Sequence, residues 1–265
     1  RSTQAKTLFP YTTLFRSNAK ALEYAELAAE SDPTKTAPLK RKGQVFEVLG
    51  KNDKARLAYL KAMELDDKDP ETYSLLANQE FKKGNKKAAL EWLKMGVRRN
   101  PTNATAFRNL ARGYVRVKDY DKAKEAYRRA LALDPNNAAL RYEYAKLLKK
   151  TGDNDGYLAE LKKAYALDPK NPKIAAAMGD AELEAGNKKR ALELYRDALK
   201  GDGKNAELRA KYNALYNELA TAGKGSSGKG DGTSGTGGPG SGFAGTGGPG
   251  AGSGEGSGNK GEGEP

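Results

Sequence analysis

Pro33, Asp67, Pro101, Pro135, Pro169 and Gly203 stand 34 residues apart in matching contexts: Ser-Asp-Pro-Thr, Leu-Asp-Asp-Lys, Arg-Asn-Pro-Thr, Leu-Asp-Pro-Asn, Leu-Asp-Pro-Lys and Gly-Asp-Gly-Lys. A fixed period of this length restricts the chain to an array of like units, each packed on the next. Proline has a locked φ and no N–H, so it ends one helix and opens the turn to the following one. A second column with the same period, Gly50, Gly84, Lys118, Gly152 and Gly186, lies mid-repeat. Glycine takes a left-handed C-cap without strain, so this column marks a turn between two helices.

Small residues form three further columns: Gly43, Ala77, Ala111, Ala145 and Gly179; Ala21, Ala55, Ala89, Ala123, Tyr157 and Ala191; Ala28, Ala62, Gly96, Ala130, Ala164 and Ala198. Large residues fill a complementary one: Tyr59, Leu93, Tyr127, Leu161 and Tyr195. Ala123, Tyr127, Ala130 and Leu131 fall on one helical face, with Lys122, Lys124, Glu125, Arg128 and Arg129 elsewhere. The spacing predicts first helices near 36–49, 70–83, 104–117, 138–151 and 172–185. Second helices are expected near 53–66, 86–98, 120–133, 154–167 and 188–200. Two columns depart from pattern. Tyr157, beside Gly156, stands where alanine is expected and predicts looser packing or a bend. Lys118 replaces the turn glycine, a change that Asp119 is expected to accommodate.

This alternation of small and large positions resembles the tetratricopeptide repeat, and the resemblance covers residues 18–222. It implies an all-α fold: a right-handed α-solenoid of antiparallel helix pairs, whose concave face is lined by the first helix of each pair. The expected organisation is a half repeat at 18–35, full repeats at 36–69, 70–103, 104–137, 138–171 and 172–205, and a capping helix at 206–222. One helix pair cannot bury its own apolar face, so neighbours supply the core and the ends need polar caps. Lys211, Asn213, Asn217 and Glu218 suit such a cap. Residues 18–31 read as the second helix of a repeat whose first half is missing, so a frayed first layer is expected.

The flanks differ from the repeats. Residues 7–17, Thr-Leu-Phe-Pro-Tyr-Thr-Thr-Leu-Phe-Arg-Ser, resemble the translation of a sequencing adapter, and 1–17 are set aside as an unstructured artefact. From 223 to 265 the chain is rich in glycine and serine, with Phe243 as its one large apolar residue. Such a segment cannot repay the entropy of ordering and is expected to be disordered. Gly-Thr-Gly-Gly-Pro-Gly occurs at 235–240 and again at 245–250, without a collagen period and without arginine. A solubilising linker, a tether or a weak assembly segment all fit it.

The candidate site is the concave groove. The family register places Lys40, Arg41 and Gln44 there, then Ser74, Asn78 and Lys82, then Arg108, Asn109, Arg112 and Arg116, then Tyr142, Lys146, Lys149 and Lys150, with Lys173 and Asp180 beyond. Arg108, Arg112 and Arg116 recur every four residues on one helix face, where like charges repel. An anionic ligand relieves that repulsion, and the lysines of the next layer are expected to face it. A solvated basic face is the alternative. Some family members clamp a chaperone C-terminus through lysine, asparagine and arginine positions. Here Asn78 and Asn109 match, but Ser74 replaces a lysine, and Ala139 and Glu143 replace the basic pair, so that ligand is not expected.

The chain has no cysteine and no histidine, which excludes disulfides, thiolate nucleophiles, imidazole bases and Cys/His zinc sites. Neither a catalytic site, a cofactor, a metal nor a small-molecule substrate is expected, and no apolar run is long enough to span a bilayer. Of the net charge of +13, +11 lies in 18–222, because the tail carries three lysines against four acids and the first 17 residues add three cations. The expected function is a protein-interaction scaffold whose partner is an acidic protein or peptide. Two alternatives stand beside it: an assembly module working through its convex or end surfaces, and non-specific binding of RNA or membrane polyanions. Nucleic acid is disfavoured, because most aromatics sit in packing columns and are not free to stack on bases.

Overall fold

The computed structural model describes residues 34–225, together with 20–24, 26, 27 and 30, and all regular structure among the described residues is helical. The adapter-like segment and the tail beyond Gly225 lie outside the described residues. Helices α1 (Thr36–Val48), α2 (Asn52–Leu65), α3 (Pro70–Lys82), α4 (Lys86–Arg99), α5 (Ala104–Val117), α6 (Tyr120–Leu133), α7 (Ala138–Lys150), α8 (Asn154–Leu167), α9 (Pro172–Glu184), α10 (Lys188–Gly201) and α11 (Ala206–Gly225) follow one another through short turns. Connections this short force successive helices to run antiparallel. The result is a solenoid of helix pairs.

Turn chemistry repeats with the period. Gly50, Gly84, Lys118, Gly152 and Gly186 all sit at positive φ, between 65° and 82°. The left-handed residue turns the chain back on the helix it ends. The Asn85 N–H donates to the Glu80 carbonyl at 2.9 Å, and the Asp119 N–H to that of Tyr114 at 3.0 Å. Asp119 then caps α6 by accepting the Lys122 N–H at 3.4 Å. Between repeats, a second column that the sequence reading missed starts the inner helices. Asp69, Asn103, Asn137, Asn171 and Asn205 each accept a backbone N–H from the first turn they precede. A short polar side chain at this position satisfies an amide that the helix itself leaves bare.

The alanine columns form the seam. Ala55, Ala89, Ala123 and Ala191 are fully buried, as are Ala62, Ala130, Ala164 and Ala198. Tyr59, Leu93, Tyr127, Leu161 and Tyr195 fill the space opposite. Tyr157 does not loosen its layer. The residue is 4% exposed, and the Lys149 ammonium lies 4.9 Å from its ring centroid. Leu208 and Leu215 of α11 close the last layer over Ala175, Ala191 and Tyr195.

Candidate protein-interaction groove

One repeat period carries each inner-helix position to the next inner helix, so the groove is organised in rows. One row reads Lys40, Ser74, Arg108, Tyr142, Ala176. The next is Gln44, Asn78, Arg112, Lys146, Asp180, and the third Val48, Lys82, Arg116, Lys150, Glu184. Cations therefore concentrate where α5 and α7 lie side by side. A cleft of about 710 Å³ opens there, lined by Arg108, Arg112, Val115 and Arg116 of α5, Tyr127 of α6, Ala139, Tyr142, Glu143, Lys146, Leu147 and Lys150 of α7, and Asn171, Lys173 and Ile174 at the start of α9. A smaller cavity of about 240 Å³ adjoins it, with Ser74, Asn78, Phe81, Asn109, Arg112 and Arg116 among its walls.

Several sequence-predicted residues are already engaged. Arg108 donates through Nε to both Glu143 oxygens at 3.1 Å and through Nη2 to Oε1. That carboxylate hydrogen bond holds the guanidinium above its ordinary range against the pull of burial. Lys149 pairs with Glu184 at 2.9 Å and does not line the cleft. Lys40 bridges to Asp69 at 2.9 Å and to Glu71, and only 12% of its side chain is exposed. Asn109 donates to the Pro70 carbonyl at 3.1 Å. Lys82 pairs with Glu47, and Asp180 receives both Lys211 and the Tyr195 hydroxyl. Gln44 and Arg41 are exposed on α1, outside the cleft.

Three of these inner-face bonds, Lys82 to Glu47, Arg108 to Glu143 and Lys149 to Glu184, join residues 35 apart. The geometry is one period plus one residue, which sets the two side chains opposite each other on neighbouring inner helices. The same offset in either direction from Arg112, Arg116, Lys146 and Lys150 reaches Ala77, Leu147, Phe81, Thr151, Ala111, Ala181, Val115 and Ala185, none of them acidic. Among the described residues no carboxylate pairs with these four cations. Three of them rest on aromatic rings. Arg116 lies 4.3 Å from the Phe81 centroid, Lys146 5.7 Å from Tyr142 and Lys150 5.4 Å from Tyr120. An aromatic face steadies a cation without neutralising it. Arg116 also reaches Asn78 at 3.4 Å.

Residues 93–209 match the family model of the cytochrome c-type biogenesis protein H TPR domain, and residues 40–104 match a tetratricopeptide repeat model. The chain is a tetratricopeptide repeat protein. A thermophilic TPR protein of Thermus thermophilus is 26% identical, with a TM-score of 0.53 over 68% of this chain and 98% of that one. Pseudomonas aeruginosa pilF shares the fold at 18% identity and a TM-score of 0.57, over 71% of this chain and 87% of that one. So does the Cut9–Hcn1 hetero-tetramer of the APC/C, at 17% identity and 0.55, over 77% of this chain and 40% of that one. No curated protein sequence matches significantly. The tetratricopeptide fold is that of a protein–protein interaction scaffold, with proteins or peptides as its partners, and the family is generally non-enzymatic. No helix among the described residues is long and apolar enough to cross a membrane.

Proposed function

We propose that this tetratricopeptide protein holds an acidic segment of a partner protein in its concave groove, over Arg112, Arg116, Lys146 and Lys150. One observation supports the reading above all: Arg112, Arg116, Lys146 and Lys150 line a single cleft with Lys173 at its edge, and the one carboxylate among the lining residues, Glu143, is taken by Arg108. Unpaired cations at a protein surface carry a standing repulsion that a ligand's carboxylates relieve, and arginine offers them a bidentate fork. Arg108 and Lys149 are less suited to this role, since Glu143 and Glu184 already satisfy them.

The test is fluorescence anisotropy with a labelled glutamate-rich peptide, on the wild type and on Arg112→Glu/Lys146→Glu, with circular dichroism to check folding. The expected result is a loss of about tenfold or more in affinity in the variant. Wild-type binding should also weaken as salt screens the charges. Binding unchanged by the double substitution overturns the reading. The end layer offers a second surface. Tyr216 on α11 is 54% exposed and stacks on Tyr212 with ring centroids 6.2 Å apart. Assembly through that end predicts that Tyr216→Ala releases a partner which the groove variant still holds.

A further inference from the structure

Four of the cations form a block in two neighbouring rows, with Lys173 lining the same cleft outside those rows, and the edges of the block carry the inference. Arg112 and Arg116 are one helical turn apart, about 6 Å along the axis, as are Lys146 and Lys150 on the neighbouring inner helix about 10 Å away. The two rows that contain the block change character on either side. Towards α3 the next positions are Asn78, which is neutral, and Lys82, which Glu47 neutralises. Towards α9 they become Asp180 and Glu184. Asp180 is paired with Lys211 and accepts the Tyr195 hydroxyl, and Glu184 is paired with Lys149, so these two rows add no unpaired cation in the layer of α9.

Resting on the acidic-groove reading above, we infer that the ligand is a segment with a short acidic cluster, not an extended polyanion. In an extended strand, side chains on one face recur about every 6.6 Å, so a block about 6 Å by 10 Å meets about two carboxylates of one face, which four consecutive glutamates supply. A longer acidic run meets Asn78 and the paired Lys82 at one end and the lysine-paired carboxylates of Asp180 and Glu184 at the other, so its added charges find no unpaired cation in these rows. Glu184 thus acts as a specificity residue that limits the run. This separates a short acidic protein motif from RNA, heparin or any chain of regularly repeated charge, which gains affinity with every added charge on an open basic surface.

The experiment compares two dodecapeptides on a glycine–serine background, one with four consecutive glutamates and one with eight. Both are measured by anisotropy against the wild type, Glu184→Gln and Glu184→Lys. Glu184 has 63% of its side chain exposed, which keeps both substitutions compatible with the fold. The wild type is expected to bind the two peptides within about threefold of each other, the longer one gaining only from extra registers. Glu184→Lys extends the row of Arg116 and Lys150 by one layer, and should favour the longer peptide by about fivefold or more, with Glu184→Gln in between. A wild type that prefers the longer peptide by about tenfold overturns the inference and marks a general polyanion surface, leaving the acidic groove standing. A Glu184→Lys protein with the wild-type ratio also overturns it. If neither peptide binds, or if Arg112→Glu/Lys146→Glu leaves their binding unmoved, the acidic-groove reading itself fails.

Discussion

At the residue scale, two kinds of small position constrain the repeat for different reasons. The turn column needs a left-handed backbone, and Lys118 supplies it at φ 65° where four glycines do so elsewhere. A Cβ in that region crowds the following carbonyl, so Lys118→Gly should stabilise the protein by about 0.5–1 kcal/mol. Gly84→Ala, in open space but at φ 82°, should cost about 1 kcal/mol. Urea unfolding of the two variants, followed by circular dichroism, should therefore move the midpoint in opposite directions. The groove-side column obeys a different rule. A Cβ added at Gly43 would strike the Tyr59 ring, and one at Gly179 would come within 2.6 Å of the Tyr195 ring. Both rings are fully buried and have no room to retreat. Gly43→Ala and Gly179→Ala should each cost about 1–3 kcal/mol by overpacking, although alanine stands in this column at Ala77, Ala111 and Ala145.

At the scale of the element, the start of α3 shows how one side chain joins two layers. Asp69 accepts the Glu71 N–H at 3.0 Å, the Thr72 hydroxyl at 2.7 Å and the Lys40 ammonium of α1 at 2.9 Å. Burial opposes its ionisation, but Lys40, Thr72 and the Glu71 amide together hold the carboxyl below its usual range. A carboxyl depressed in the folded state contributes its full stability above the unfolded value, about 4, and loses it as pH falls through the folded value. Asp69→Asn keeps an acceptor for the cap but loses the charge. Its deficit against the wild type should be largest near neutral pH and shrink steadily below about pH 4 in acid-titrated thermal melts. A deficit that does not change with pH would mean that shape alone makes Asp69 useful.

The same scale explains what was legible in the sequence. Helix pairs, turn glycines and alanine seams follow from columns, because identical packing problems recur every 34 residues and receive identical answers. The caps at Asn103, Asn137, Asn171 and Asn205 were equally readable in that column. Charge was read less well, because helical spacing gives the face of a side chain but not its partner on the next layer. Arg108 and Lys149 therefore looked available, while their acids lie 35 residues ahead in the chain. That offset is the signal to search for. It leaves Arg112, Arg116, Lys146 and Lys150 as the block without an answer.

At the scale of the whole molecule, layers touch only their neighbours, so cooperativity must pass through each layer in turn. Leu140 is 1% exposed in α7 and belongs to the largest buried cluster, which runs from Ala77 to Leu194. Leu140→Ala should cost about 2–4 kcal/mol at the middle of the stack. A loss of that size at a central interface uncouples the two halves instead of lowering both together. The single tryptophan, Trp92, sits in α4 on the N-terminal side of the break, near Tyr73 and Arg56. Its fluorescence reports that half alone, whereas circular dichroism at 222 nm reports every helix. The two urea curves should coincide in the wild type and separate in Leu140→Ala. Coincident curves in the variant would mean that coupling reaches beyond adjacent layers. The proposed ligand supplies a second arm, because its carboxylates would bridge α5 to α7 across the weakened layer. At a hundred times its dissociation constant, a ligand adds about 2.7 kcal/mol to the state that binds it, enough to offset much of the substitution. A short acidic peptide should therefore bring the two curves of Leu140→Ala back together, and should fail to do so once Arg112→Glu and Lys146→Glu are added to the same chain.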